Sequence, residues 1–151
     1  MSLARQVVSQ LELRRKLADL ASAVADRQEA EKELDLLFNL SLDMLCIAGF
    51  DGYYKRLNPA WQNTLGLTVE EMLARPYLDF VHPDDRDATI EAAQKLASGA
   101  HLISFENRYQ CQDGSYKWLL WTGTPLAGKE LIYAAARDIT ERKAAEEELR
   151  R

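Results

Sequence analysis

The spacing of apolar and polar positions divides the chain into three stretches. From Leu3 to Leu40 there is no glycine or proline, and Leu, Ala, Glu, Arg, Lys and Gln dominate. Such a composition predicts a helix, which if continuous would run about 57 Å at 1.5 Å per residue. Leu13, Leu17, Leu20 and Val24 are spaced 4, 3 and 4 apart, the seam of a two-helix coil. The seam then meets Arg27 and Glu31 before returning to Leu34 and Phe38. An apolar stripe of this kind needs a partner, so the stretch reads as a dimerising helix with a weak centre, either one straight helix or a bent pair.

The middle changes character. Met44–Phe50 and Tyr53–Leu57 are short apolar runs joined by Asp51-Gly52, a signal for a tight hairpin. Asn58-Pro59 then opens a short helix, with Asn58 as its cap and Pro59 at the first helical position, where no amide donor is needed. Gly66 ends it. Thr68 and Glu71 have capping-box spacing for the next turn of helix, which Pro76 limits. His82-Pro83 opens a third helix that runs to about Ser98-Gly99, with Asp84 and Asp85 in a first turn whose dipole favours negative charge. Three strands follow: Leu102–Cys111, Tyr116–Thr124 after a turn at Asp113-Gly114, and Leu131–Arg137 after Gly128-Lys129. Two strands, short helices, then three strands predict an α+β fold, an antiparallel sheet with helices over one face.

The last stretch starts at Asp138-Ile139-Thr140-Glu141. Asp138 or Thr140 can cap the final helix, and Asp138 with Glu141 has capping-box spacing. This helix reaches Arg151 without a C-cap, so the natural protein is expected to continue. The expected partition is residues 1–40 as a dimerising helix, 41–137 as the α+β core and 138–151 as the start of a further helix.

Composition narrows the classes. Hydrophobic residues make up 47% and charged residues 28% of 151, a globular balance that excludes disorder and collagen-like repeats. No stretch approaches the roughly 20 apolar residues of a membrane span. The start, Met1-Ser2-Leu3-Ala4-Arg5, lacks the layout of a secretory signal. Two cysteines are too few for a disulfide scaffold or a four-thiolate zinc site, which suggests a cytoplasmic protein. The net charge is −5, and residues 41–136 carry 8 basic and 12 acidic side chains. No basic footprint for nucleic acid exists there.

Catalytic patterns are missing: no glycine-rich phosphate loop, no Gly-x-Ser-x-Gly elbow, no His-Glu-x-x-His. His82 reads as a helix-start residue and His101 as a solvated loop residue, and neither has a ligating neighbour at helical spacing. Neither terminal helix carries a histidine to accept a phosphoryl group. An enzyme and a metal site are therefore not expected. Binding is. Along Leu102–Cys111, Ile103, Phe105, Asn107, Tyr109 and Cys111 share one face. Asn107 is the polar member of that face, and a buried amide needs a partner: a side chain, a water or a ligand. Trp61, Phe80, Trp118 and Trp121 are candidates to line the same space, though aromatic residues also simply fill cores.

Several of these segments in order make a familiar pattern: Asp51-Gly52 with Leu57-Asn58-Pro59-Ala60, then Leu65-Gly66-Leu67-Thr68-Val69-Glu70-Glu71-Met72, then Val81-His82-Pro83-Asp84-Asp85-Arg86. Phe105-Glu106-Asn107-Arg108-Tyr109, Asp113-Gly114-Ser115-Tyr116-Lys117-Trp118 and Arg137-Asp138-Ile139-Thr140-Glu141-Arg142-Lys143 complete it. Over residues 31–151 the chain resembles a PAS, or sensory box, domain with flanking signalling helices. The resemblance implies a five-stranded antiparallel sheet, a helical side enclosing a small cavity, and a junction at Asp138-Ile139-Thr140 that hands over to an output helix. It also implies a larger signalling protein, with a histidine kinase of a two-component system or a diguanylate cyclase as covalently linked output domain. The repeat of Ala30-Glu31-Lys32-Glu33-Leu34 as Ala145-Glu146-Glu147-Glu148-Leu149, 115 residues on, fits concatenated sensors. The reactive cysteine of the family's flavin light sensors has no counterpart in Leu73–Phe80, nor the haem-ligating histidine in Asp84–Ser98. Non-covalent flavin or a small metabolite stays open, and the cofactor is unknown.

Two functions are expected from this. In one, a ligand contacts Asn107, Tyr109, Phe105, Trp61, Phe80 and Trp121, and Asp138 and Thr140 relay its effect. In the other, the chain is a ligand-free homodimer and spacer held by Leu13, Leu17, Leu20 and Val24.

Overall fold

The uninterrupted run of helix formers becomes one continuous helix, α1 (Leu3–Leu40), in a computed structural model that describes residues 3–150. Met1, Ser2 and Arg151, at the ends of the two terminal segments, lie outside the described residues. The chain divides into two units, one up to Phe38 and one from Asn39 onward. Within α1 every described side chain but Phe38 is half-buried or more open to solvent. Leu13, Leu17, Leu20 and Val24 are 58%, 56%, 62% and 47% exposed, so the single chain leaves the whole seam uncovered.

The second unit holds β1 (Met44–Gly49), β2 (Tyr54–Leu57), α2 (Ala60–Leu65), α3 (Val69–Leu73), α4 (Arg86–Ala97), β3 (Leu102–Gln110), β4 (Tyr116–Leu126), β5 (Leu131–Asp138) and α5 (Thr140–Arg150). Two 3₁₀ turns, Tyr77–Phe80 and Pro83–Asp85, lead into α4. The strands form one five-stranded sheet in the order β2-β1-β5-β4-β3 with every pairing antiparallel. The hairpin β1–β2 and the meander β3–β4–β5 are thus joined by pairing of the first strand with the last. The helices occupy the connection between them. Trp61, Leu65, Met72, Phe80 and Leu96 from the helical layer share one buried core with Cys46, Tyr109, Leu119, Trp121 and Ala134 of the sheet.

Local signals place most of these elements. Gly66 takes the left-handed conformation (φ 79°) and its amide bonds Gln62 O, closing α2. Thr68 and Glu71 form both bonds of the capping box. Gly52, Gly114 and Gly128 take positive φ values in the three hairpin turns, joined in the last by Glu130 at φ 53°. His82 caps the Pro83–Asp85 turn, its Nδ1 accepting the Asp84 amide at 3.1 Å.

Four expectations are corrected. Asn58 does not cap α2, which starts one residue later than expected, with Pro59 in the cap position and no side-chain bond there. The Asn58 amide is instead committed to β1: its Oδ1 accepts from Leu45 N at 2.9 Å and its Nδ2 donates to Asp43 O at 2.9 Å. Ile103 does not share the inner face; it is 77% exposed. The β3–β4 register shifts between Leu102 and Phe105, where Ser104 has φ 58°. Three residues of β3 span what two span on β4, a bulge that reverses the facing of the strand's start. Trp118 lies on the outer face, because Trp121, three residues along β4, is the one turned inward. Asp85, finally, does more than complement a helix dipole, as its contact with β3 shows.

Candidate functional site

Between α4 and the sheet lies a cavity of about 60 Å³. Its walls are mostly apolar, and Phe105, Asn107, Tyr109 and Trp121 all reach it. The bulge brings Leu102, in place of Ile103, to the same wall. Trp61 and Phe80 do not line it; they stand behind it, their rings 5.9 and 6.5 Å from that of Tyr109. Sequence reasoning missed Cys46, Tyr54, Tyr77 and Thr89, which also line the space. Strand alternation in β1 and β2 could have found Cys46 and Tyr54, whereas Thr89 needs the position of α4 over the sheet.

The polar atoms of this wall are chained together. Trp121 Nε1 donates to Asn107 Oδ1 at 2.7 Å, Asn107 Nδ2 donates to Thr89 Oγ1 at 3.2 Å, and Thr89 Oγ1 donates to Asp85 O at 2.8 Å. Asn107 thus holds the sheet to α4 in the middle of the core. Across the cavity the hydroxyls of Tyr54 and Tyr109 bond each other. Burial pushes both phenols well above their ordinary range, so they stay neutral. Burial raises the Cys46 thiol as well, which removes it as a nucleophile.

The cavity is small. One water needs roughly 10–15 Å³ of such space, so it admits about four to six non-hydrogen atoms, well short of the roughly 300 Å³ of pockets for drug-sized ligands. A flavin ring system does not fit these walls as they stand. Among the described residues no group of three or more His, Cys, Asp or Glu side chains is placed to hold a metal ion, and no helix is long and apolar enough to cross a membrane.

On its other side Asp85 reaches β3. Its carboxylate accepts Arg108 Nε at 2.9 Å, Arg108 Nη2 at 2.7 Å and the Arg108 amide at 2.8 Å. These bonds hold the carboxyl below its ordinary range. The same guanidinium lies 5.0 Å from the Trp118 ring centre, and Lys143 of α5 lies 4.8 Å from it. Lys143 also pairs with Glu106 of β3 at 2.8 Å.

Asp138 and Thr140 come together at the start of α5. Asp138 Oδ1 accepts the Thr140 amide at 3.0 Å and its hydroxyl at 2.6 Å. Thr140 Oγ1 in turn accepts Trp118 N at 3.0 Å, and Ile139 N donates to Trp118 O at 2.9 Å. Ile139 is buried. The helix start is therefore stitched to β4 through both backbone groups of Trp118.

Comparison with known proteins agrees with this architecture. The family model described as PAS fold matches residues 54–135. A domain of a sensory box sensor histidine kinase/response regulator from Geobacter sulfurreducens superposes with a TM-score of 0.64 at 22% identity, covering 72% of this chain and 94% of that one. The PAS domain of an HTR-like protein from Haloarcula marismortui gives a TM-score of 0.63 at 25% identity, covering 74% and 99%. Among curated sequences, the uncharacterized protein y4lL of Sinorhizobium fredii is 30% identical over 131 residues, which is 80% of this chain. The chain spans 16% of the length of that relative. With a family model that matches more than half of it, the chain belongs to the PAS fold family, a family of sensory signalling modules.

Proposed function

We propose that this domain is the input module of a larger signalling protein, that a small molecule in the cavity is its signal, and that Asp138-Ile139-Thr140 passes the effect to α5. The observation that carries the reading is the pair of hydrogen bonds by which the Trp118 backbone donates to Thr140 Oγ1 and accepts from Ile139 N. Any shift of β4 must move the helix start with it. Trp121, three residues further along β4, is bonded to Asn107 at the cavity wall, so one strand touches both the site and the exit. A ligand acts by binding one arrangement of this strand better than another. The output is expected to be a covalently linked enzyme, such as a histidine kinase or a diguanylate cyclase, working in the cytoplasm.

The test is a pair of substitutions in the full-length protein. Asn107→Leu disturbs the cavity wall and is expected to change output activity; Asp138→Ala alone is expected to uncouple. With Asp138→Ala present, adding Asn107→Leu should have no further effect. An equal response to Asn107→Leu in both backgrounds removes the relay role.

The exposed seam of α1 favours a second role beside the first: a homodimer in which Leu13, Leu17, Leu20 and Val24 pack against a second copy and space two output domains. Light scattering on protein lacking residues 1–30 checks it. A dimer of undiminished strength would count against α1 as the main contact.

A further inference from the structure

A count of protons in the cavity wall narrows what the site takes. Asn107 and Tyr109 are each 1% exposed and Tyr54 is 4% exposed. Asn107 Nδ2 carries two protons, and among the described residues only one has an acceptor, Thr89 Oγ1. Two phenols bonded to each other use one proton between them, which leaves the second without a protein acceptor. Both spare donors belong to side chains that line one cavity, whose wall also holds the hydroxyl of Tyr77. The Asn107 amide nitrogen and the two bonded phenols each make one hydrogen bond already, and the proton left over is what a ligand can pair. No lining residue is charged, so an anion would lose its water with no opposite charge in return.

We infer that the cavity takes a small neutral hydrogen-bond acceptor of about four to six non-hydrogen atoms, a carbonyl compound by class, held by the spare N–H of Asn107 and the spare O–H of the Tyr54–Tyr109 pair. The inference rests on reading this cavity as the sensing site. Its polar end meets the spare donors of the wall while its carbon chain lies against Phe105, Leu102 and Leu96. Apolar gases and hydrocarbons fill the same space but leave both donors unpaired.

The full chain, titrated with 2-butanone, 2-methyl-1-butene and propionate, distinguishes these. The readout is the side-chain amide signal of Asn107 and the indole N–H signal of Trp121 in ¹H–¹⁵N spectra. The ketone is expected to shift both saturably, and the isosteric alkene to bind at least about fivefold more weakly, the effect of one lost hydrogen bond. Propionate is expected to leave them in place. Tyr54→Phe with Tyr109→Phe should shrink the ketone's advantage while leaving alkene affinity unchanged. If that variant does not fold, the wild-type comparison decides alone. Equal binding of alkene and ketone, tighter binding of propionate, or no saturable shift with any probe would overturn the inference, the last meaning that ordered water alone meets the two donors. The Asn107→Leu and Asp138→Ala pair uses no ligand, so the relay stands or falls separately.

Discussion

Leucine does two different things in this chain, and the contrast between α1 and the sheet domain shows what decides it. In α1, Leu13, Leu17 and Leu20 are more than half exposed, and the helix is held by its own backbone and by a favourable composition. In the sheet domain Leu119 and Leu65 are at most 2% exposed, and the polar groups among them are bonded: Asn58 to β1, Asn107 to Trp121 and Thr89. One region completes its burial alone. The other keeps an apolar stripe that only a second surface can cover, since most helical stability in proteins comes from such packing.

The largest effect that sharpens this contrast lies at Trp61, fully buried, whose Nε1 donates to Leu45 O at 2.9 Å. Trp61→Ala should destabilise the sheet domain by roughly 3–5 kcal/mol, read as a fall in the urea midpoint by near-ultraviolet circular dichroism. Leu17→Ala in α1 is the counterpart, and a loss of the same size there at micromolar protein would mean that the stripe is covered in solution. Next comes Asn107→Leu. It leaves the indole proton of Trp121 without an acceptor, and a buried donor left unpaired costs about 1–3 kcal/mol. A neutral outcome would show that water reaches the indole.

The same contrast explains how much was legible in the residues. Caps and turns were, because a capping box or a glycine of positive φ acts within four residues: Thr68 with Glu71, Gly66, Asp51-Gly52 and Asp113-Gly114 all do what their spacing implies. The five antiparallel strands followed from the family pattern; their order in the sheet did not. Asn58 read wrongly and Asp85 only in part, since both fit a local role at a helix start while their partners lie 13 and 23 residues away. Ile103 read wrongly for another reason: alternation assumes an unbroken pleat, and one extra residue at Ser104 reverses it. At the cavity, Asn107 was visible as a polar break in an apolar face. Thr89 was not, because helical spacing alone does not say which turn of α4 faces the strand. Nothing in α1's sequence separates a stripe that waits for a partner from one that packs on its own chain.

Two arginine–carboxylate pairs give the smallest effects and the cleanest form of the comparison. Asp85–Arg108 is a two-pronged contact between side chains 16% and 27% exposed; Arg27–Glu31 is a single contact at 3.1 Å between side chains 83% and 60% exposed. For Asp85 the folded carboxyl titrates below its unfolded value. Its stabilisation is therefore complete above the unfolded value near pH 4 and is lost as pH falls through the folded one. Unfolding midpoints between about pH 5 and pH 2 should fall in the wild type, and the fall should be shallower in Asp85→Asn. A curve of unchanged shape would place the acid sensitivity elsewhere, with Asp51 and Asp113 the remaining depressed carboxyls. Arg27→Ala should cost no more than about 0.3–0.5 kcal/mol, as exposed helix pairs do. It also removes one of the two charges that interrupt the seam between Val24 and Leu34, so self-association should hold or strengthen as that small loss appears. Weaker association in Arg27→Ala would mean that Arg27 faces an acidic group on the second copy, and the weak centre of α1 would then be a point of recognition between chains.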